Sequence, residues 1–315
     1  FQRSRSGMTP NFSTTAHILI GLGLFWLGAV VGSFANVCVY RLPWGKSVIW
    51  PASHCPKCLT ALKGRDNLPI FGWLLLRAEC RTCGLHIAAR YVLMEVVMGL
   101  LFVGVHLAIS ADMGWYFPID RIYGGRLLMG TMLVSFLVVA TMMDYDWMII
   151  TDSVTIPGML IGLTLGTIMP YARPVPMKST SNLTGLWVGV VGILIGFGLI
   201  LFFRVLGRIL FRREAMGLGD ATLMGVIGAF LGWKAAILTF FIAPFFGLAH
   251  ALWKLGQMIV RRLTGRQIRQ ADHEMPFGPY LSMAAIFCLL GWPWIWKNWA
   301  IDLFESFSMI LKEIT

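Results

Sequence analysis

The sequence predicts an all-α polytopic membrane protein, with about eight transmembrane helices and one large cytoplasmic loop between the first and second. Its 315 residues are 57% hydrophobic and only 13% charged, and mean hydropathy is +0.73. A soluble core of that size cannot hide so many apolar side chains. The formal net charge of +11 is spread over short basic blocks between apolar stretches, the pattern of cytoplasmic membrane-protein loops. Nucleic-acid binding is therefore not expected; membrane lipid is.

Apolar stretches near the ~20 residues needed to cross a ~30 Å hydrocarbon core run over 16–39, 91–109, 127–143, 153–169, 183–206 and 235–255, with shorter ones at 221–233 and 280–296. The basic clusters at 41–90, 204–213 and 254–269 orient these eight spans when all three are placed on the cytoplasmic side. Both termini then lie outside. The expected organisation is a disordered or artificially added N-terminal stretch at 1–15, a first span at 16–40, a cytoplasmic domain at 41–90, a membrane-embedded domain at 91–297 and an amphipathic helix at 298–315. That last segment sets Ile301, Leu303, Phe304 and Phe307 beside Asp302 and Glu305, as a surface-lying helix would. Trp292, Trp294, Trp296 and Trp299 read as interfacial anchors. Cys38 and Cys288 lie in apolar runs and read as core residues.

Within 41–90 stand Cys55-Pro56-Lys57-Cys58 and Cys80-Arg81-Thr82-Cys83. Two such hairpins can aim four thiolates at one tetrahedral Zn2+. The competing reading is two disulfides or four free thiols; a reducing compartment disfavours the disulfides. A closed four-cysteine site leaves no open position for substrate, so its expected role is to fold the loop.

Two acids end apolar stretches: Asp144, in Met143-Asp144-Tyr145-Asp146, and Asp220, in Gly217-Leu218-Gly219-Asp220. An ionisable residue beside hydrocarbon is a functional hypothesis by default. The predicted topology brings both to the cytoplasmic boundary, and the short return from 144 to 152 keeps Asp146 and Asp152 near Asp144. Paired carboxylates can divide the work of peptide hydrolysis, one activating water while the other, protonated, polarises the carbonyl. Gly217 and Gly219 would admit close backbone approach. The plainer reading is that Asp220 caps its helix and that Asp144 or Asp146 caps another or pairs with an arginine. A transporter with an aspartate ion relay is the rival function, and a zinc-shaped scaffold subunit is another.

The ordered motifs resemble the bacterial type IV prepilin peptidases, aspartyl peptidases of the inner membrane. They are Gly32-Ser33-Phe34-Ala35-Asn36-Val37, Arg41-Leu42-Pro43, the paired Cys-x-x-Cys, Asp66-Asn67-Leu68-Pro69-Ile70 through Arg77, Ala89-Arg90-Tyr91 to Glu95, the Asp144 segment, Gly217-x-Gly219-Asp220 and Pro276-Phe277-Gly278-Pro279. The resemblance implies removal of a basic leader from type IV prepilins or type II secretion pseudopilins at the cytoplasmic face. It also implies methylation of the new N-terminal residue with S-adenosylmethionine. Asp144 and Asp220 would be catalytic, Asp146 and Asp152 auxiliary, and Cys55, Cys58, Cys80 and Cys83 zinc ligands. No Rossmann-type glycine loop marks a methyl-donor site; Asn36, Arg41, Asp66, Asn67 and Glu95 are the candidates for it. The chain departs from the family pattern in reading Ile150-Thr151-Asp152 and Tyr91-Val92-Leu93 where a proline is usual at the middle position.

Overall fold

The computed structural model describes residues 14–114, 120–174, 181–212, 216–263, 276–295 and 298. Among these, regular structure is entirely helical: α1 (Thr14–Arg41), α2 (Phe71–Leu75), α3 (Arg90–Met113), α4 (Arg121–Trp147), α5 (Asp152–Ile168), α6 (Asn182–Phe211), α7 (Leu218–Leu231), α8 (Trp233–Leu263) and α9 (Gly278–Ile295). Each predicted apolar stretch is a helix, and the short α2 is additional. Five helices, α1, α3, α4, α6 and α8, are long and apolar enough to cross a membrane, while Asp152–Ile168, Leu218–Leu231 and Gly278–Trp292 are shorter apolar helices. Helix α8 runs past the expected end at 255 to Leu263, through Gln257, Met258, Arg261 and Arg262, all good helix formers, with the two arginines at the end where the helix dipole favours positive charge. Apart from Asn298, the expected amphipathic tail lies outside the described residues.

The chain forms two compact units, Phe1–Cys38 with Ser47–Ser135, and Val39–Lys46 with Phe136–Thr315. In the first unit, glycines bring two helices close. A Cβ at Gly28 would stand 2.7 Å from the Met98 carbonyl oxygen, and one at Gly32 would stand 2.8 Å from the Glu95 Cα. Small residues at such crossings let membrane helices pack backbone to backbone. His106 is spent on the Tyr123 hydroxyl at 2.6 Å, consistent with a structural histidine.

The second unit is packed around α7, whose residues from Asp220 to Leu231 are buried with the exception of Thr222. Gly192 of α6 meets Gly228 of α7 so closely that a Cβ on either would overlap the other's carbonyl. Arg173, which lies between the predicted spans 153–169 and 183–206, is 2% exposed. Its guanidinium donates to the carbonyls of Gly185 at 2.6 Å and Ala229 at 3.0 Å, tying α6 to the far end of α7. Gly166 and Gly189 supply the room, because a Cβ on either would strike the guanidinium. Cys38 and Cys288 are buried, as expected. Trp292 is not an interfacial anchor: it is 1% exposed, whereas Trp294 is 61% exposed. Two residues turn a helix by more than half a revolution, so only one of them can face outward.

Candidate active site and metal centre

Asp144 lies in the last turn of α4. Beyond it Met148 takes a left-handed φ of 54°, and the chain returns through Ile150 to Thr151, the residue before α5. Thr151 has φ −85° and ψ 143°, close to the φ of about −65° that a proline ring enforces. The turn therefore keeps a proline-like path where the family's proline is replaced. Trp147 donates from its indole to the Val39 carbonyl at 3.2 Å and meets Trp44 edge-on at 5.2 Å, which fixes the end of α4.

Asp220 sits in the first turn of α7, not at its N-cap; Gly217 holds that position. The Gly217 N–H donates to Asp220 Oδ2 at 3.1 Å, so the carboxylate does serve the helix terminus, with one oxygen. Asp144 Oδ2 accepts from the Gly278 N–H at 2.8 Å, at the start of α9. Both acids are 7% exposed. Among the described residues each carboxylate accepts one hydrogen bond, at Oδ2, so Oδ1 is available to water or substrate.

Ile150 links the turn that carries Asp220 to the turn that holds Asp144. A Cβ at Gly219 would stand 2.9 Å from the Ile150 Cβ, and one at Gly278 would stand 3.0 Å from Ile150 Cδ1 and 2.6 Å from Asp144 Oδ2. The Gly-x-Gly-Asp turn and the Gly278 turn thus pack on the same side chain. Asp146 is half-buried in the same last turn of α4, and Asp152 opens α5 exposed. Ile150 and Gly278 were missing from the sequence-predicted site. The signal for Gly278 was present in Phe277-Gly278-Pro279, a glycine where a proline-bounded turn begins; nothing in sequence marks Ile150 as more than apolar.

The four cysteines converge in the first unit. Their sulfurs all lie within 4.8 Å of one another, with Cys55 and Cys83 3.7 Å apart and Cys58 and Cys80 3.9 Å apart. Zinc–sulfur bonds of ~2.3 Å in a tetrahedron place sulfurs about 3.8 Å apart, so the cluster fits that ion. Two matching hairpins build it. Cys55 N–H donates to Thr60 O and Leu59 N–H to Cys55 O, at 3.0 and 2.9 Å; Cys80 N–H donates to Leu85 O and Gly84 N–H to Cys80 O, at 2.8 and 2.9 Å. Leu59 and Gly84 share a left-handed φ, 56° and 65°, and a bridge closes each hairpin, His54 with Ala61 and Glu79 with His86. The Thr60 hydroxyl and N–H pull the Cys58 thiol down to about 6. Cys83 is pushed up to about 11: the Leu85 N–H opposes this, and burial with the neighbouring sulfurs outweighs it. Crowded thiolates of this kind are what a divalent cation stabilises.

Of the five methyl-donor candidates, four lie in the first unit. The Asn36 side-chain amide donates to Gly32 O at 3.2 Å and Tyr91 O at 3.3 Å, one turn from Glu95 on α3. Glu95, 7% exposed, accepts from the Ile70 N–H at 2.7 Å. Asp66 and Asn67 share the short helix Gly64–Asn67. Arg41 ends α1 in the second unit.

One unit holds a four-cysteine module and the other two buried aspartates in a helical, membrane-type chain, and comparison with known proteins identifies the class. Residues 26–109 match the Bacterial Peptidase A24 N-terminal domain, and residues 131–252 match the Type IV leader peptidase family. A Prepilin leader peptidase/N-methyltransferase of Myxococcus xanthus (strain DK1622) is 34% identical over 89% of this chain and 76% of its own length. Proteins of the same name from Klebsiella pneumoniae and Stutzerimonas stutzeri are 33% and 29% identical, over 75% and 90% of this chain and 96% and 95% of theirs. The chain belongs to the type IV leader peptidase family. No solved structure matches it significantly.

Proposed function

We propose that this protein is an aspartyl endopeptidase of the bacterial inner membrane, with eight spans and its acids facing the cytoplasm. It removes the basic leader from type IV prepilins or type II secretion pseudopilins, and it methylates the new N-terminal residue with S-adenosylmethionine. The observation that carries the reading is the convergence on Ile150 of the turn that carries Asp220 and the turn that holds Asp144, at the ends of apolar helices. One carboxylate, ionised, takes a proton from water as it attacks, while the other, protonated, donates to the scissile carbonyl; as the gem-diol collapses and the C–N bond breaks, the first passes its proton to the leaving amine and the second retakes one from a gem-diol hydroxyl. The Gly278 and Gly217 N–H groups hold the carboxylates by their Oδ2 atoms, leaving the reacting oxygens oriented. A substrate whose leader ends where an apolar helix begins would present its scissile bond at the membrane boundary, where these acids lie.

Asp146 and Asp152 act as auxiliary acids by adding negative charge near a basic leader. Zinc on Cys55, Cys58, Cys80 and Cys83 is structural. Asn36, Asp66, Asn67 and Glu95 in the first unit are the groups offered to the methyl donor, which supplies an electrophilic methyl; Arg41 is assigned with them through its motif. With a purified prepilin as substrate, Asp144→Asn and Asp220→Asn should each abolish leader removal while leaving the protein folded. Cleavage retained in either variant would sink the paired-acid assignment.

A further inference from the structure

The short helix α2 is too apolar for a loop in water. Leu68, Phe71, Leu74 and Leu75 are 50%, 49%, 54% and 69% exposed, clustered within one turn and its approach. The ring of Phe71 stacks on Trp26 at 5.3 Å and 27°, and Trp26 belongs to the spanning helix α1. Its level along the bundle follows from the glycine contacts: Gly28 lies against Met98 and Gly99. At 1.5 Å per residue that contact is roughly 13 Å inward from Arg90 at the start of α3, and Trp26 lies further in. The path there and back is also visible. Ile70 bonds to Glu95, little more than one helical turn inside α3, while the Trp73 indole returns to the Ile87 carbonyl at 2.9 Å, outside it.

Backbone inside hydrocarbon must satisfy its own polar groups, and much of this segment is bonded internally. The N–H groups of Phe71, Gly72, Leu74, Leu76, Arg77, Ala78 and Glu79 donate to Pro69, Leu68, Ile70, Gly72, Leu74, Trp73 and Leu76 carbonyls, at 2.6–3.2 Å, and Pro69 has no N–H to satisfy. The Ile70 N–H at the tip goes to the Glu95 carboxylate. Ile70 has φ 62° and ψ −56°, and with the Phe71-to-Pro69 bond it forms a γ-turn of the rare strained kind, in a β-branched residue for which positive φ is an outlier. Such a conformation persists only where its surroundings over-determine it, and Glu95 is the group that does so.

We propose that residues 68–76 form a re-entrant hairpin immersed among lipid acyl chains, pinned by Glu95, so that the cysteine module is anchored in the bilayer. On α1, which α2 meets through Trp26, Leu22, Leu27 and Val30 are also exposed. Glu95 acts here as a positioning residue through Ile70.

The test uses full-length, zinc-loaded protein with Cys38→Ala and Cys288→Ala, reconstituted into phosphatidylcholine–phosphatidylglycerol vesicles and carrying a nitroxide at Leu75→Cys. Leu74→Cys is the second site, Leu22→Cys the membrane reference and Lys57→Cys the aqueous one. Collision rates with oxygen and with a water-soluble nickel chelate are measured at each. Immersion predicts an oxygen-to-nickel ratio at 75 and 74 close to that at 22 and severalfold above that at 57. A ratio closer to that at 57, or low collision with both relaxants as under a protein partner, would overturn it. Adding Glu95→Ala should shift position 75 toward the nickel chelate, whereas Glu95→Gln, which keeps an acceptor for the Ile70 N–H, should not. An unchanged profile in Glu95→Ala would overturn the pin. None of these readings depends on peptidase activity.

Discussion

The four sulfurs of the cysteine cluster come from two hairpins closed by hydrogen bonds between residues a few positions apart, while the bond that holds Asp144 comes from Gly278, 134 residues away. The first site is written in short motifs and needs only its loop and an ion. The second exists only once α4, α7 and α9 have packed around Ile150. One unit therefore concentrates its chemistry by local turns, the other by close helix contacts such as Gly192 with Gly228. Damage to the two should spread differently.

Removing a zinc ligand should give the largest effect. Structural zinc contributes on the order of 10–16 kcal/mol in small zinc-binding peptides, and a loop of this size has no comparable core to replace it. Cys80→Ser should abolish zinc retention, measured by metal analysis, and expose residues 53–87 to limited proteolysis. Leader removal should persist in that variant and methyl transfer should fail. Equal collapse of both activities would show that the acid site depends on the module after all, and the contrast drawn between them would be wrong.

The converse lesion is Gly278→Ala. Its Cβ would stand 2.6 Å from Asp144 Oδ2, so the carboxylate must move. Displacement of a reacting group by about 1 Å can cost ~100-fold in rate, and kcat for leader removal should fall by about that factor. KM and zinc content should change little, since the lesion touches the held oxygen of the Asp144 carboxylate and the Ile150 side chain, not the cysteines. Circular dichroism melting of the variant, matched to the parent, separates this from loss of fold.

These two sites also differ in how far sequence alone reveals them. Cys-x-x-Cys spacing specifies the metal centre because a hairpin's geometry is set by its own residues. Asp144 and Asp220 stand out because charge beside hydrocarbon is costly, which flags the acids and not their supports. Ile150 could not be found that way; its role depends on which glycines the tertiary packing lays against it. Arg173 was missed for a related reason. A hydropathy reading puts an arginine in a loop, and only the carbonyls of Gly185 and Ala229, with the space left by Gly166 and Gly189, bring it inside. Helix α2 was hidden by its length, since a short apolar run flanked by basic residues looks like loop until Trp26 and Glu95 show where it goes.

The smallest expected effect lies where the hairpin and the module join. Arg81, inside the second Cys-x-x-Cys, donates to both Asp66 carboxylate oxygens, at 2.6 and 3.2 Å. The Arg81 hydrogen bonds hold the Asp66 carboxyl below the usual carboxylate range, against the opposing effect of burial. A depressed folded-state pKa means the pair's contribution is fully present above the unfolded value of about 3.9 and is lost as pH falls through the lower folded value. Hydrogen-exchange protection of residues 64–87, compared between the parent and Asp66→Asn, should therefore differ by a small constant amount from pH 8 to about pH 5 and converge only below about pH 4. Acid release of zinc acts on both proteins, so it largely cancels in the difference. Added salt at neutral pH should narrow the gap, because an ion pair near the surface is screened; a gap that salt leaves untouched would mean that Asp66 matters through the shape of its turn, not through its charge.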